Sequence, residues 1–404
     1  MTNKYQLTLF ALLYFVQGSA LAYFQNFQKP YLNSFAIDAD TIGLLTTILL
    51  LPFVLKIFIG ILSDRVSLFG MGHRKPYILL GLLLAVATFS AAAFLLPDRS
   101  FPLFAATIVL ASFSVALFDS TTDGLAIDTT PPEAHGTVQG FMVGGRAAGI
   151  ILLSLVFGFL VQSHGYRPVF LIIAVSMLLP LVLLFKVDEP RRRPEGQGFQ
   201  WSAFKALARP RFLAFSLYAI LYSVVSFGVD GLVTYYMSQQ FNAPETTIGT
   251  YGALRGIGAV IGALGGALLV DRLGRRASAN GALVLITLGA ALLGLATGIN
   301  AILMLAALWG AAWAFQETIF FALAMDLADS RIAASMFAIM MAVSNLGTAI
   351  GEGLATSLTD NLGFSAVFWL LAGLNLLVFP VLWLLFHLAP EVRARTAATR
   401  SVQP

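Results

Sequence analysis

The sequence has no cysteine in 404 residues and only four histidines, His73, His135, His164 and His387, far apart along the chain. The first absence excludes disulfides and thiolate metal sites, and the scatter of histidines leaves no metal-ligand spacing. Charge is also scarce. Only 11% of the residues are Asp, Glu, Lys or Arg, while 58% are hydrophobic; a soluble domain carries about 25% charged residues. No Gly-x-x-x-x-Gly-Lys-Ser/Thr loop is present to hold a nucleotide phosphate, which argues against ATP-driven work. No Ser/His/Asp grouping or His-Glu helix motif occurs, so the chain reads as a non-enzyme that needs neither metal nor cofactor.

What remains is a membrane composition. A spanning helix needs about 20 mostly apolar residues, and twelve such stretches follow one another: 7–28, 41–62, 76–96, 101–127, 137–161, 168–187, 212–239, 247–270, 277–298, 301–327, 332–358 and 364–387. The net charge of +4 is no nucleic-acid footprint. With the N-terminus inside, eighteen Lys and Arg fall in inward segments, seven of them between Lys186 and Arg211, against only Lys29, Arg99 and Arg167 outside. That bias predicts that both termini are cytoplasmic.

The two halves repeat. Thr41-Ile42-Gly43 recurs as Thr247-Ile248-Gly249, Asp64-Arg65 as Asp271-Arg272, and Leu125-Ala126-Ile127-Asp128 as Leu323-Ala324-Met325-Asp326, while Asp119 corresponds to Glu317. One duplicated six-helix unit accounts for this. The expected organisation is all-α and integral to the membrane, with pseudo-symmetric six-helix bundles at 1–187 and 211–388. A cytoplasmic linker at 188–210 joins them, and a cytoplasmic tail follows at 389–404. Parallel repeats of this kind build the major facilitator transporters.

A local signature points the same way. Gly60-Ile61-Leu62-Ser63-Asp64-Arg65 is followed by His73-Arg74-Lys75, and a degenerate copy ends in Asp271-Arg272-Leu273-Gly274-Arg275-Arg276. It resembles the loop motif that the major facilitator superfamily carries between helices 2 and 3 and again between 8 and 9. The resemblance implies a cytoplasmic latch in which Asp64, Arg65, Arg74, Asp128, Asp271, Arg275 and Asp326 act as gating residues. Asp128 and Asp326, at matching helix ends, are the expected partners of Arg74 and Arg275.

Ionisable residues inside spans are costly and by default mark a pathway. Here they are Lys56, Asp119, Asp123, Arg146, Asp230, Arg255, Glu317 and Glu352, on helices 2, 4, 5, 7, 8, 10 and 11. In the superfamily that this chain resembles, helices 1, 4, 7 and 10 line the cavity, 2, 5, 8 and 11 flank it, and the others face lipid. Residues three or four apart share a helix face, which groups Tyr14, Gln17, Gln25 and Gln28; Asp119 with Asp123; Tyr222, Ser226, Asp230 and Thr234; and Trp309, Trp313 and Glu317. Depth pairs the charges further. Asp119 lies nine residues before Asp128, about 13 Å from the helix end, and Arg146 lies about ten residues into the next helix, which predicts an Asp119–Arg146 pair. Asp230 and Arg255 share the outer half, and Glu317 has no basic residue at its depth in its own half. Glu317, Asp123, Asp119 and Asp230 are therefore the candidate proton carriers. Arg146, Lys56, Gln17, Gln25, Tyr222, Trp313 and Arg255 are the candidate substrate contacts. Gly145 and Gly149 are spaced for close helix packing.

Two branches are resembled more narrowly. Lys56, Asp64, Phe69-Gly70 and Arg74-Lys75-Pro76-Tyr77 resemble the folate/biopterin transporters; Asp119, Asp123 and Asp128 with Gly144-Gly145-Arg146 and Gly149 resemble the muropeptide permeases. That resemblance implies uptake of a small anionic or zwitterionic organic solute by proton symport across the cytoplasmic membrane. The expected partners are the solute, protons and the bilayer, with no nucleic acid and a monomeric chain. The alternative is a proton-driven exporter of drugs or metabolites on the same fold, against which Arg146 and Lys56 count.

Overall fold

A computed structural model describes residues 4–131, 134–189, 201–328 and 332–393, and every element within them is helical. Among the described residues twelve helices are long and apolar enough to cross a membrane: α1 (Lys4–Asn33), α2 (Ala39–Arg65), α3 (Lys75–Ala92), α4 (Phe101–Thr129), α5 (His135–His164), α6 (Arg167–Leu184), α7 (Pro210–Phe241), α8 (Glu245–Val270), α9 (Arg275–Gly294), α10 (Ile299–Leu327), α11 (Ser335–Leu362) and α12 (Phe364–Leu388). All twelve expected stretches are present. The largest shift is at the end of α1, which runs past Gln28 because a π-turn over Tyr23–Phe27 hands over to a fresh helical segment at Gln28. Pro30 falls in the first turn of that segment, where its missing N–H costs nothing.

Proline leaves matching marks on α6 and α12. The first part of α6 ends at Ser176, four residues before Pro180, and the first part of α12 ends at Leu376, four before Pro380. A proline cannot donate to the carbonyl four residues back, so the ladder breaks there.

Two compact units emerge. Met1–Ile37, Ile48–Gly198 and Asn242–Ala253 belong to the first; Asp38–Thr47, Phe199–Phe241 and Leu254–Pro404 to the second. In the first, Gly145 and Gly149 of α5 press on the backbone of Ala11, Phe15 and Gly18 of α1, where any Cβ would collide with carbonyl oxygens. Ser112 of α4 bonds the carbonyl of Leu49 on α2 at 2.5 Å. In the second, Gly347 and Gly351 of α11 press on Ile220 and Val224 of α7, and Gly258 and Gly262 of α8 on Ala307 and Ala311 of α10. Lipid is as apolar as a leucine side chain, so close backbone approach at small residues holds such helix pairs together. The pair α1–α5 thus recurs as α7–α11, and α2–α4 as α8–α10.

Candidate functional site

In the first unit, four helices bring six polar side chains together. Tyr14 and Gln17 lie one turn apart on α1, Asp119 and Asp123 one turn apart on α4, Lys56 on α2 and Arg146 on α5. Gln17 Nε2 donates to Asp119 Oδ1 at 2.6 Å. The Lys56 ammonium reaches the other oxygen of Asp119 at 3.5 Å, with 26% of its side chain exposed. The Tyr14 hydroxyl donates to Asp123, and Ser120 Oγ pins the Lys56 carbonyl at 3.2 Å.

The expected Asp119–Arg146 pair does not form. Asp119 is taken by Lys56 and Gln17, and the Arg146 guanidinium instead lies over the Tyr14 ring, its carbon 4.8 Å from the ring centroid. Depth along two helices sets a common level but not the direction each side chain takes around its axis. Arg146 Nε is buried with no hydrogen-bond partner, as is Gln17 Oε1. A desolvated guanidinium donor left unmade is costly, and the Arg146 Nε is such a donor among the described residues. Gln25 lies about two turns further along α1 and is half-buried.

The second unit treats its charges differently. Arg255 of α8 donates through Nε to Asp230 Oδ1 of α7 at 2.7 Å and through Nη2 to Oδ2, a two-pronged pair with both partners buried. Trp309 Nε1 adds a third donor to Asp230 Oδ1 at 2.8 Å. The Arg255 guanidinium also lies 4.6 Å from the centroid of Trp313, against whose ring Phe227 stands edge-on. About two turns along α7, the Tyr222 hydroxyl donates to Glu317 Oε1 at 2.8 Å and lies 3.1 Å from Ser344 Oγ. Tyr218 stacks on Tyr222 and accepts from Gln316 Nε2 at 2.9 Å.

Towards the basic ends of the helices, Arg74 gathers the loop motif. Its guanidinium bonds Asp64 and Ser63, and its Nε donates to Asp128 Oδ2 at 3.1 Å. Glu189, just beyond α6, holds the start of α3: its carboxylate accepts from the backbone N–H of His73 at 2.7 Å, Arg74 at 2.8 Å and Lys75 at 3.0 Å. Gly72 lies in the left-handed region at φ 100°, and a Cβ there would run into that carboxylate. Arg275 repeats the Arg74 contact on Asp326 at 2.7 Å. Arg65 is exposed, and the side chain of Asp271 lies outside the described residues.

Glu189, Ser63, Ser344 and Gln316 are the site residues that sequence reasoning missed. Glu189 left a trace as an acid beside a run of arginines at the end of a span, and Ser63 stood inside the loop motif without a role of its own. The described residues hold no group of three or more His, Cys, Asp and Glu suited to a metal.

Paired repeats of six spanning helices, with charges clustered inside each unit, define a multi-pass membrane transporter. The chain belongs to the Major Facilitator Superfamily, whose model matches residues 9–238 and 219–403. It is 30% identical over 184 residues to a protein named folate-biopterin transporter from Synechocystis, covering 44% of this chain and 36% of that one. It is 27% identical over 191 residues to a "Putative transporter AmpG 1" from Rickettsia conorii, covering 46% of this chain and 45% of that one. The chain thus aligns with less than half the length of these relatives. Its fold matches the crystal structure of a D-xylose-proton symporter with a TM-score of 0.76 at 17% identity, over 98% of this chain and 100% of that one.

Proposed function

We propose that the protein imports a small organic anion together with protons, both termini facing the cytoplasm. One observation carries the reading: Arg146, half-buried on a cavity-flanking helix of the family, has a buried Nε that no group among the described residues satisfies. A planar fork of donors fits a carboxylate. Lys56 belongs to the same cluster, and its 3.5 Å contact with Asp119 is longer than the 2.6 Å one that Gln17 makes. A solute carboxylate entering on Arg146 competes with Asp119 for Lys56. Protonating Asp119 removes that competition, which couples anion binding to proton binding in the first unit.

In the second unit Asp230 already receives three hydrogen bonds, two of them from an arginine, and serves as a structural tie. Glu317, bonded to a neutral tyrosine hydroxyl, remains the carrier of choice, because a protonated carboxyl crosses a low-dielectric path far more cheaply than a carboxylate. The Arg74 and Arg275 clusters act as latches that open and close in the transport cycle.

The test is uptake into proteoliposomes under an imposed pH gradient, acid outside, with a panel of carboxylates, neutral sugars and cationic dyes. Accumulation of a carboxylate that collapses with the gradient supports the reading, while gradient-driven expulsion of a cationic dye sinks it.

A further inference from the structure

The two units differ at one repeat position in a way that points to a lipid site. Arg74 and Arg275 make the same contact with Asp128 and Asp326, so the next residues, Lys75 and Arg276, correspond. In the first unit Lys75 is satisfied by the protein: its ammonium donates to the Val187 carbonyl, three residues past the end of α6, at 2.6 Å. In the second unit neither Arg276 nor Asn280, one turn further along α9, has an ion pair, hydrogen bond or ring contact among the described residues. Instead of a protein acceptor they face a groove of about 310 Å³, whose far wall is Phe379, Pro380, Trp383 and Phe386 of α12.

The groove exists because Pro380 breaks α12 beside it. Trp383 is 60% exposed, and His387 stacks flat on it with ring centroids 5.5 Å apart. The helix start that carries Arg276 and the helix end that carries Trp383 and His387 lie at the rim of the spanning region, where headgroups sit. Tryptophan, with an apolar body and a polar edge, favours that level. A half-buried arginine at the rim, beside apolar wall and without an anion paired to it among the described residues, complements an anionic headgroup whose acyl chain lies along the wall.

We propose that this groove between α9 and α12 binds an anionic glycerophospholipid, with the phosphate on Arg276 and Asn280 and the first acyl carbons along Phe379 and Trp383. The site stands apart from the proposed cargo and coupling and does not depend on them.

The experiment uses the full chain in mixed micelles with brominated phosphatidylglycerol or brominated phosphatidylcholine, whose bromines quench tryptophan on contact. Subtracting the signal of Trp383→Phe isolates Trp383. Phosphatidylglycerol should reach half-maximal quenching at about fivefold lower mole fraction than phosphatidylcholine, the preference expected of one basic residue against an anionic lipid. Arg276→Gln should erase that preference while leaving quenching by phosphatidylcholine in place. Inorganic phosphate added in excess should leave the preference intact. Equal quenching by the two lipids, an unaltered preference in Arg276→Gln, or loss of the preference to inorganic phosphate would each overturn the proposal. Should Arg276→Gln fail to fold, the comparison of the two lipids and the phosphate competition on wild-type protein still decide it.

Discussion

The two units pair their helices alike but commit their arginines differently. In the second unit Arg255 is fully engaged: both prongs grip Asp230 and its face lies on Trp313. In the first, Arg146 has a tyrosine ring beneath it and, among the described residues, no carboxylate paired with it and a buried donor unmet. The duplicated scaffold thus carries these arginines at unlike places, Arg255 on α8, the counterpart of α2, and Arg146 on α5, the counterpart of α11, and of the two only Arg255 grips a carboxylate among the described residues. The two acids are not counterparts, since Asp119 repeats as Glu317; what differs is the set of donors each one meets. On α4, Asp119 is met by Gln17 and Lys56; on α7, Asp230 is met by Arg255 and Trp309.

The sharpest way to break this comparison is to remove each arginine. Arg255→Gln leaves Asp230 buried with two prongs missing, so stability should fall by about 3–5 kcal/mol, read as a lowered melting temperature, and Asp230→Asn in the same chain should recover most of it. Arg146→Gln should melt close to wild type yet bind a carboxylate solute at least about tenfold more weakly, the loss of one charge-assisted contact. If instead Arg146→Gln unfolds and Arg255→Gln transports normally, the roles are reversed.

Glu317→Gln tests the second unit's part in coupling. Exchange of solute down its gradient should persist while accumulation driven by a pH gradient disappears; accumulation at the wild-type rate would pass the role to Asp123 or Asp119.

A smaller effect is expected at Glu189. Glu189→Ala removes three acceptor contacts from the start of α3, at a cost of about 1–2 kcal/mol by analogy with helix caps, and frees the backbone that aims Arg74. Single cysteines placed on this cysteine-free chain near residue 73 should label faster. Unchanged labelling would show that Asp64 and Asp128 position Arg74 without help.

The smallest effect separates the starts of α2 and α8. Asp38 accepts from the backbone N–H of Thr41 at 2.8 Å and from its hydroxyl at 2.8 Å, and these bonds hold its carboxyl below the usual value. The corresponding position before α8 is Pro244, whose carbonyl accepts from Ile248 as Asp38's does from Ile42. A carboxyl whose value is lower when folded contributes stability above its unfolded value and loses it as pH falls through the folded one. Wild type should therefore shed slightly more stability than Asp38→Asn on acidification below about pH 4, measured by thermal melts across pH.

Much of this was legible in the chain itself. Twelve apolar stretches, the repeat and the Lys/Arg distribution need only composition and spacing, because a bilayer demands spans of one length and self-satisfied backbone. Helix spacing also placed Asp119 with Asp123 and Asp230 with Arg255, and equal helix ends placed Arg74 against Asp128 and Arg275 against Asp326. Which cation faces Asp119 was beyond it. Periodicity orders residues on one helix but carries no information on how that helix is rotated against three neighbours, so Lys56 rather than Arg146 meets the acid. The reach of Glu189 back to the start of α3, over more than a hundred residues of chain, and the groove that Arg276 shares with the break in α12 depend likewise on how helices distant in sequence come to lie side by side, which only tertiary packing decides.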